Sequence, residues 1–138
     1  MGIRTVDLER TGKGRFTATN VRGGSIRVSD GMDDDGFTPV ELLLAAIGGC
    51  AGLDIDAILA KRSDFVSFTV NSQADKVRDD GGNHLVDFKV TFDARFPDDE
   101  DGQAARDFLP TAMTKSHDWL CTVSRTVHLG ASVDFLEA

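Results

Sequence analysis

The sequence predicts an α+β protein in which mainly antiparallel sheets wrap around one buried central helix. Three observations predict it: a capped, almost wholly apolar segment from Thr38 to Leu59; two long alternating segments, residues 65–77 and 84–96, joined by DDGGN; and short alternating runs before residue 30. Alternation marks strands with one buried face, and an apolar run of that length marks a core helix. The element order reads βββ-α-ββ-α-α-β.

Residues 3–10 (IRTVDLER) alternate as a strand. Gly12 and Gly14 turn the chain into RFTATN, residues 15–20, and the run from Val21 to Ser29, with its Gly23–Gly24 pair, completes a meander. Asp30 to Phe37 is an acidic loop. The central helix opens on Thr38 as N-cap, Pro39 at the first helical position and Glu41 three residues after the threonine, which makes a capping box. From Leu42 to Ile47 the helix has no polar face; Leu53, Ile55, Ile58 and Leu59 then resume a stripe. Lys61 and Arg62 suit the negative end of the helix dipole. The uncharged run 42–53 is shorter than the roughly 20 residues a bilayer requires.

Gly48, Gly49 and Gly52 each cost about 1 kcal/mol relative to alanine inside a helix. A close neighbour is therefore expected on their surface: a second helix, a partner subunit or a substrate. Residues 65–77 and 84–96 form a hairpin. Ala105, Phe108, Leu109 and Met113 give residues 102–115 helical spacing, broken or kinked at Pro110. Ser116 is expected to cap a second short helix, His117 to about Thr126, that holds Cys121. The end, HLGASVDFLEA, alternates as a final strand.

At 138 residues the chain fits one domain, 1–138. A net charge of −8, from 15 basic and 23 acidic residues, argues against nucleic acid or an anionic membrane as partner, since both must be neutralised by cations. The acid clusters Asp33–Asp35 and Asp98–Asp101 read as solvated loops without the ordered spacing of a calcium site. No secretory leader is visible, so a reducing cytoplasm is expected, where a thiol pair is more often redox-active than structural.

Cys50 and Cys121 are the two cysteines. Only a thiolate is a strong nucleophile, and a free cysteine has a pKa of about 8.5. Cys50 lies about three turns inside its helix, beyond reach of the dipole, and Asp54 one turn later favours the protonated thiol. A reactive Cys50 therefore needs a cation from elsewhere. Arg15, Arg22 and Arg27 are candidates; Arg22 stands out because Gly23 and Gly24 form a tight turn able to aim it inward, against the plain reading of an exposed strand end. Cys121 lies near a helix start, with Arg125 four residues on and His117 four before. One His and one Cys on a helix do not make a zinc site, so neither metal nor cofactor is expected. Trp119 is expected in the core or on a pocket wall near Cys121, and His84 and His128 in strands as packing or surface residues.

TPVELLLAAIGGCAGLDIDAILAKR, followed some seventy residues later by SHDWLCTVSR, resembles the OsmC/Ohr family of osmotically inducible and organic hydroperoxide resistance proteins. The resemblance covers most of the chain, and Pro39–Cys50 and Trp119–Val123 carry it. It implies an intertwined homodimer, two sheets wrapped around central helices, and active sites at the interface. It also implies that Cys50 is peroxidatic, that Cys121 resolves the sulfenic acid as a disulfide, and that a dithiol reductant returns both thiols. The family's activating arginine precedes a V-S-x-D-G-like stretch, matched here by Arg22 before RVSDG. The well-studied peroxidases carry a glutamate directly after the proline to hold that arginine. This chain has Val40 there and Glu41 one position later, where the capping box accounts for it, and Glu41 is the candidate arginine partner. Together with Gly-Gly-Cys and Asp54, this brings the chain closer to the OsmC-like branch. The expected function is reduction of organic hydroperoxides; the alternative is a non-enzymatic dimeric binding protein with an apolar interface pocket. A thiol-dependent acyl or thioester hydrolase lacks a base beside Cys50.

Overall fold

Alternation before residue 30 becomes a three-stranded antiparallel sheet of β1 (Asp7–Gly12), β2 (Arg15–Thr19) and β3 (Ser25–Ser29), in that spatial order. The structure, a computed structural model, describes residues 1–138 and divides into two units, Met1–Leu43 and Leu44–Ala138. In the first unit β1 begins at Asp7, so the expected strand start at residue 3 is corrected: Ile3 is 93% exposed and has no strand to pair with. The β2–β3 turn is tied by Asn20, whose Oδ1 accepts the N–H groups of Arg22 and Gly24, both at 3.0 Å. Gly23 takes φ 88° there, a conformation side chains disfavour. Arg27 pairs with Asp35, and Asp34 Oδ1 accepts from Gly36 N at 2.8 Å. The Ser29 hydroxyl, the Gly36 N–H and the Arg27 charge hold the Asp34 carboxyl below its usual range. The acidic loop is thus internally bonded as well as solvated.

Helix α1 (Pro39–Leu59) starts as its sequence predicts. Glu41 Oε1 accepts from Thr38 N at 2.8 Å, and Thr38 Oγ1 accepts from Glu41 N at 3.2 Å. At the other end Arg62 Nη1 donates to Ile58 O at 2.9 Å, and Arg62 Cζ lies 3.6 Å from the Phe108 ring centre. By length and composition α1 is apolar enough to cross a bilayer, yet its second half is held by the hairpin. A Cβ on Gly48 would meet Ser72 Cβ at 3.2 Å and Val70 Cγ1 at 3.3 Å, and one on Gly52 would meet Val70 Cγ2 at 3.3 Å. Those two glycines let a strand approach the helix. A Cβ on Gly49 would meet nothing within 4 Å in the single chain, so no second helix or strand approaches there. The helix is also not buried all round: Ile47, Gly48, Ala51, Ile55 and Leu59 form its buried stripe, while Leu53 is 71% exposed. One hairpin covers one face.

The hairpin is β4 (Ser67–Asp79) with β5 (Gly82–Arg95), closed at Asp79↔Gly82 around Asp80 and Gly81. Between Gln73↔Lys89 and Asp75↔Val86 the register shifts: β5 carries one extra residue, and Asp87 takes φ 56°. Such a bulge bends and twists a strand locally. Phe65, Phe68, Phe92 and Phe96 line up beside Ile55, Leu59, Ala105 and Ala112 to form the core of this unit.

Helix α2 (Glu100–Lys115) corrects the expectation of an acidic loop and that of a break at Pro110. Asp99 is its N-cap, accepting from Gly102 N at 2.7 Å, so Asp98–Asp101 is a helix start rather than a free loop, with Glu100 and Asp101 beside the positive helix end. Pro110 does not break the helix; its missing N–H removes one bond, while buried Ala105 and Ala112 hold the turns on either side. The chain then continues through a π-helical turn, Ser116–Leu120, in place of a fresh helix capped by Ser116. Cys121 leaves helical conformation at φ −73°, ψ 97° and begins α3 (Thr122–Leu129). Residues 130–138 form no strand, although they alternate, because no neighbouring strand edge in the chain pairs with them; Phe135 is 96% exposed. His128, expected on that strand, lies in α3, and Trp119, expected in the core or on a pocket wall near Cys121, is 86% exposed.

A paired-thiol candidate site

Cys50 Sγ, Cys121 Sγ and a carboxylate oxygen of Asp54 all lie within 4.8 Å of one another. Cys50 and Asp54 are half-buried and Cys121 is buried. The helix spacing of four brings Asp54 onto the face of Cys50, whereas Cys121 arrives from more than sixty residues away. The π-helical turn makes that arrival possible. Its wider winding lets Cys121 N donate to Ser116 O at 2.9 Å, five residues back, and releases the next residues into a new helix. Wide turns of this kind recur at functional sites.

Both sulfurs use the start of α3. Cys121 is the N-cap: its Sγ accepts from Ser124 N at 3.4 Å. Burial pushes the Cys50 thiol above its usual value, the Val123 N–H works against that, and Cys121 and Asp54 add to the upward push. No arginine or lysine is among these influences. Ser116, buried, donates from Oγ to Asp54 Oδ2 at 2.9 Å and so fixes the carboxylate. Sequence reasoning missed Ser116 and Val123. Only the regular four-residue spacing to Asp54 was available as a signal, and a backbone N–H has none.

Beside the cluster opens a cavity of about 690 Å³. Phe88, Val90, Phe92, Met113 and Val127 give it apolar walls, and Ser116 lies on the wall as well, though neither sulfur does. Phe88 directly follows the bulge residue Asp87 on β5. His117, Asp118, Ser124 and His128 line this cavity and also a smaller one of about 300 Å³, which Arg125 joins. His117 Nδ1 lies 2.8 Å from Asp118 Oδ1. His84 is remote in role: it is exposed on β5, 3.8 Å from Asp79.

The other predicted site residues belong to the Met1–Leu43 unit. Arg22 occupies the exposed tip of the β2–β3 turn. Glu41 is exposed and engaged with Thr38, whose backbone and hydroxyl contacts hold its carboxyl below the ordinary value. Arg27, inside the RVSDG run, is committed to Asp35.

A fold with a long apolar helix backed by a hairpin, and with one thiol on that helix facing another from a late helix start, defines the class of protein. The family described as OsmC-like protein matches residues 31–135, and the chain belongs to it. An uncharacterized protein of Mycobacterium tuberculosis H37Rv is 30% identical over 129 residues, covering 92% of this chain and 90% of its own. Among solved structures, a hypothetical protein of Aquifex aeolicus VF5 superposes with a TM-score of 0.74 at 23% identity, over 94% of this chain and 89% of its own. An organic hydroperoxide resistance protein OsmC of Legionella pneumophila superposes with a TM-score of 0.58 at 14% identity, over 92% and 91%. At these identities the two structures share the fold.

Proposed function

We propose that this protein reduces organic hydroperoxides by a two-thiol cycle. The observation that carries the reading is the convergence of Cys50 and Cys121 within 4.8 Å at the start of α3, both as free thiols. In the cycle the Cys50 thiolate attacks the outer peroxide oxygen. The O–O bond breaks, the alkoxide leaves and takes a proton as the alcohol, and Cys50 becomes a sulfenic acid. The Cys121 thiolate then attacks that sulfur and displaces hydroxide, which leaves as water. A dithiol reductant returns both thiols and is itself oxidised to a disulfide. Cys50 is the better first nucleophile because it is half-buried while Cys121 is buried. The apolar cavity beside the cluster suits the organic part of such a peroxide.

The reading extends to Arg22 as the activating cation and to Glu41 as its partner, in a cytoplasmic protein whose 138 residues act as one OsmC-like domain. We infer a homodimer, supported by Leu53, Val133, Phe135 and Leu136, all at least 71% exposed in the single chain. Sedimentation should give twice the chain mass at micromolar concentration; a folded monomer would sink the dimer. The central test is intact mass after one equivalent of cumene hydroperoxide. Wild type should lose two hydrogen atoms, and Cys121→Ser should gain one oxygen. Unchanged mass in both would end the peroxidase reading. Iodoacetamide rates against pH test the cation: Arg22→Ala should raise the Cys50 pKa, and an unmoved profile removes Arg22.

One observation favours a second reading. Burial holds Cys50 protonated, without a cation to oppose it, and the cavity beside it is large and apolar. A non-enzymatic protein that binds an apolar ligand fits those facts. It predicts wild-type protein that leaves cumene hydroperoxide intact.

A further inference from the structure

Cys50, Cys121 and Asp54 present two sulfurs and one oxygen to a common point. We propose that the reduced protein binds a thiophilic divalent cation there, of the Zn²⁺ and Cd²⁺ class, with the fourth position open to water. The assignment rests on the same side chains as the peroxidase reading but not on peroxide chemistry.

The donor set suits such an ion. Thiolate sulfur selects zinc and cadmium over magnesium or calcium, and carboxylate oxygen is an accepted third ligand. Tetrahedral geometry with Zn–S of about 2.3 Å places sulfurs about 3.8 Å apart. Ligand atoms already within 4.8 Å reach that spacing by small side-chain rotations. The surroundings complete the case. Ser116 Oγ donates to Asp54 Oδ2, which orients the carboxylate, as outer-shell partners do in known zinc sites. The Ser124 N–H donates to Cys121 Sγ, and the positive start of α3 offsets the excess negative charge of two thiolates and a carboxylate around a doubly charged cation. Binding displaces one proton from each thiol into solvent and involves no change of oxidation state. An ion held there ties up both sulfurs, so metal and peroxide compete for the reduced protein.

Titration of the metal-free, reduced chain with Cd²⁺ tests this through the thiolate-to-metal ultraviolet band. One ion per chain is expected, with the band lost in Cys50→Ser and Cys121→Ser. Asp54→Asn should weaken binding at least tenfold and Ser116→Ala by about tenfold. If a variant unfolds, wild type alone still decides: Zn²⁺ must protect the half-buried Cys50 from iodoacetamide. No band at micromolar metal, Cys50 unprotected, or binding unaltered in Asp54→Asn would overturn the site. The metal titration contains no peroxide and the peroxide mass test contains no metal, so either reading can fail alone.

Discussion

Cys50 and Cys121 reach one spot from opposite kinds of helical position. Cys50 sits in the middle of α1, where every backbone N–H is already bonded within the helix; Cys121 sits at the start of α3, where the first N–H groups are free. A thiol gains nothing from its own helix in the first case and can act as the cap in the second. Yet the free N–H groups serve both: Ser124 N donates to Cys121 Sγ at 3.4 Å, and the Val123 N–H favours the Cys50 thiolate. The difference shows that the anion-friendly end belongs to the late, short helix, while the long helix supplies rigidity and burial.

The largest expected effect breaks the pair. Cys50→Ser should abolish peroxide consumption, since a serine hydroxyl offers no accessible anion there. Cys121→Ser should react once and stall as sulfenic acid or beyond. Normal multiple turnover by Cys121→Ser with a dithiol reductant would contradict the division of roles.

Next comes the support beneath Cys50. Gly48→Ala should be less stable than Gly49→Ala, because overpacking against Val70 and Ser72 takes away the roughly 1 kcal/mol that alanine gains within a helix. Gly49→Ala, with open space around it, should keep that gain in a single folded chain. Urea unfolding of the two variants compares them directly, and equal stability would mean that the helix–strand contact is not what demands glycine.

The support beneath Cys121 is a cap. Cys121→Ala removes the acceptor for Ser124 N and should cost about 0.5–1 kcal/mol, the low end for caps because sulfur accepts weakly. Cys121→Ser keeps an acceptor and should retain wild-type stability. Thermal melts that rank serine below alanine would show that the sulfur is not capping.

The smallest effect concerns Asp54, the last-ranked influence on Cys50. Asp54→Asn removes a negative neighbour, so the Cys50 pKa should fall, read as a downward shift in iodoacetamide alkylation against pH. The sign for stability follows from the raised value. A thiol harder to ionise when folded contributes stability below its ordinary pKa of about 8.5, and that contribution is lost as pH rises through the raised folded value. Wild type should therefore weaken above about pH 8.5, and Cys50→Ala should weaken less.

Sequence alone determined what local chemistry determines. Thr38, Pro39 and Glu41 satisfy one another within a single turn, so α1 begins where they stand. The alternation of 65–77 and 84–96 around DDGGN specifies its hairpin, because period and turn are both short-range. Asp54 beside Cys50 follows from helical spacing. Tertiary structure decided the rest. Pro110 stays helical because the faces on either side are buried, and Ser116 turns inward to Asp54 because a π-helical turn, which no residue pattern announces, precedes Cys121. Residues 130–138 alternate like a strand and remain unpaired, since a strand needs an edge to bond with and alternation cannot supply one. The meeting of Cys50 with Cys121 is of the same kind: it depends on how a hairpin, an unbroken α2 and one wide turn add up over seventy residues.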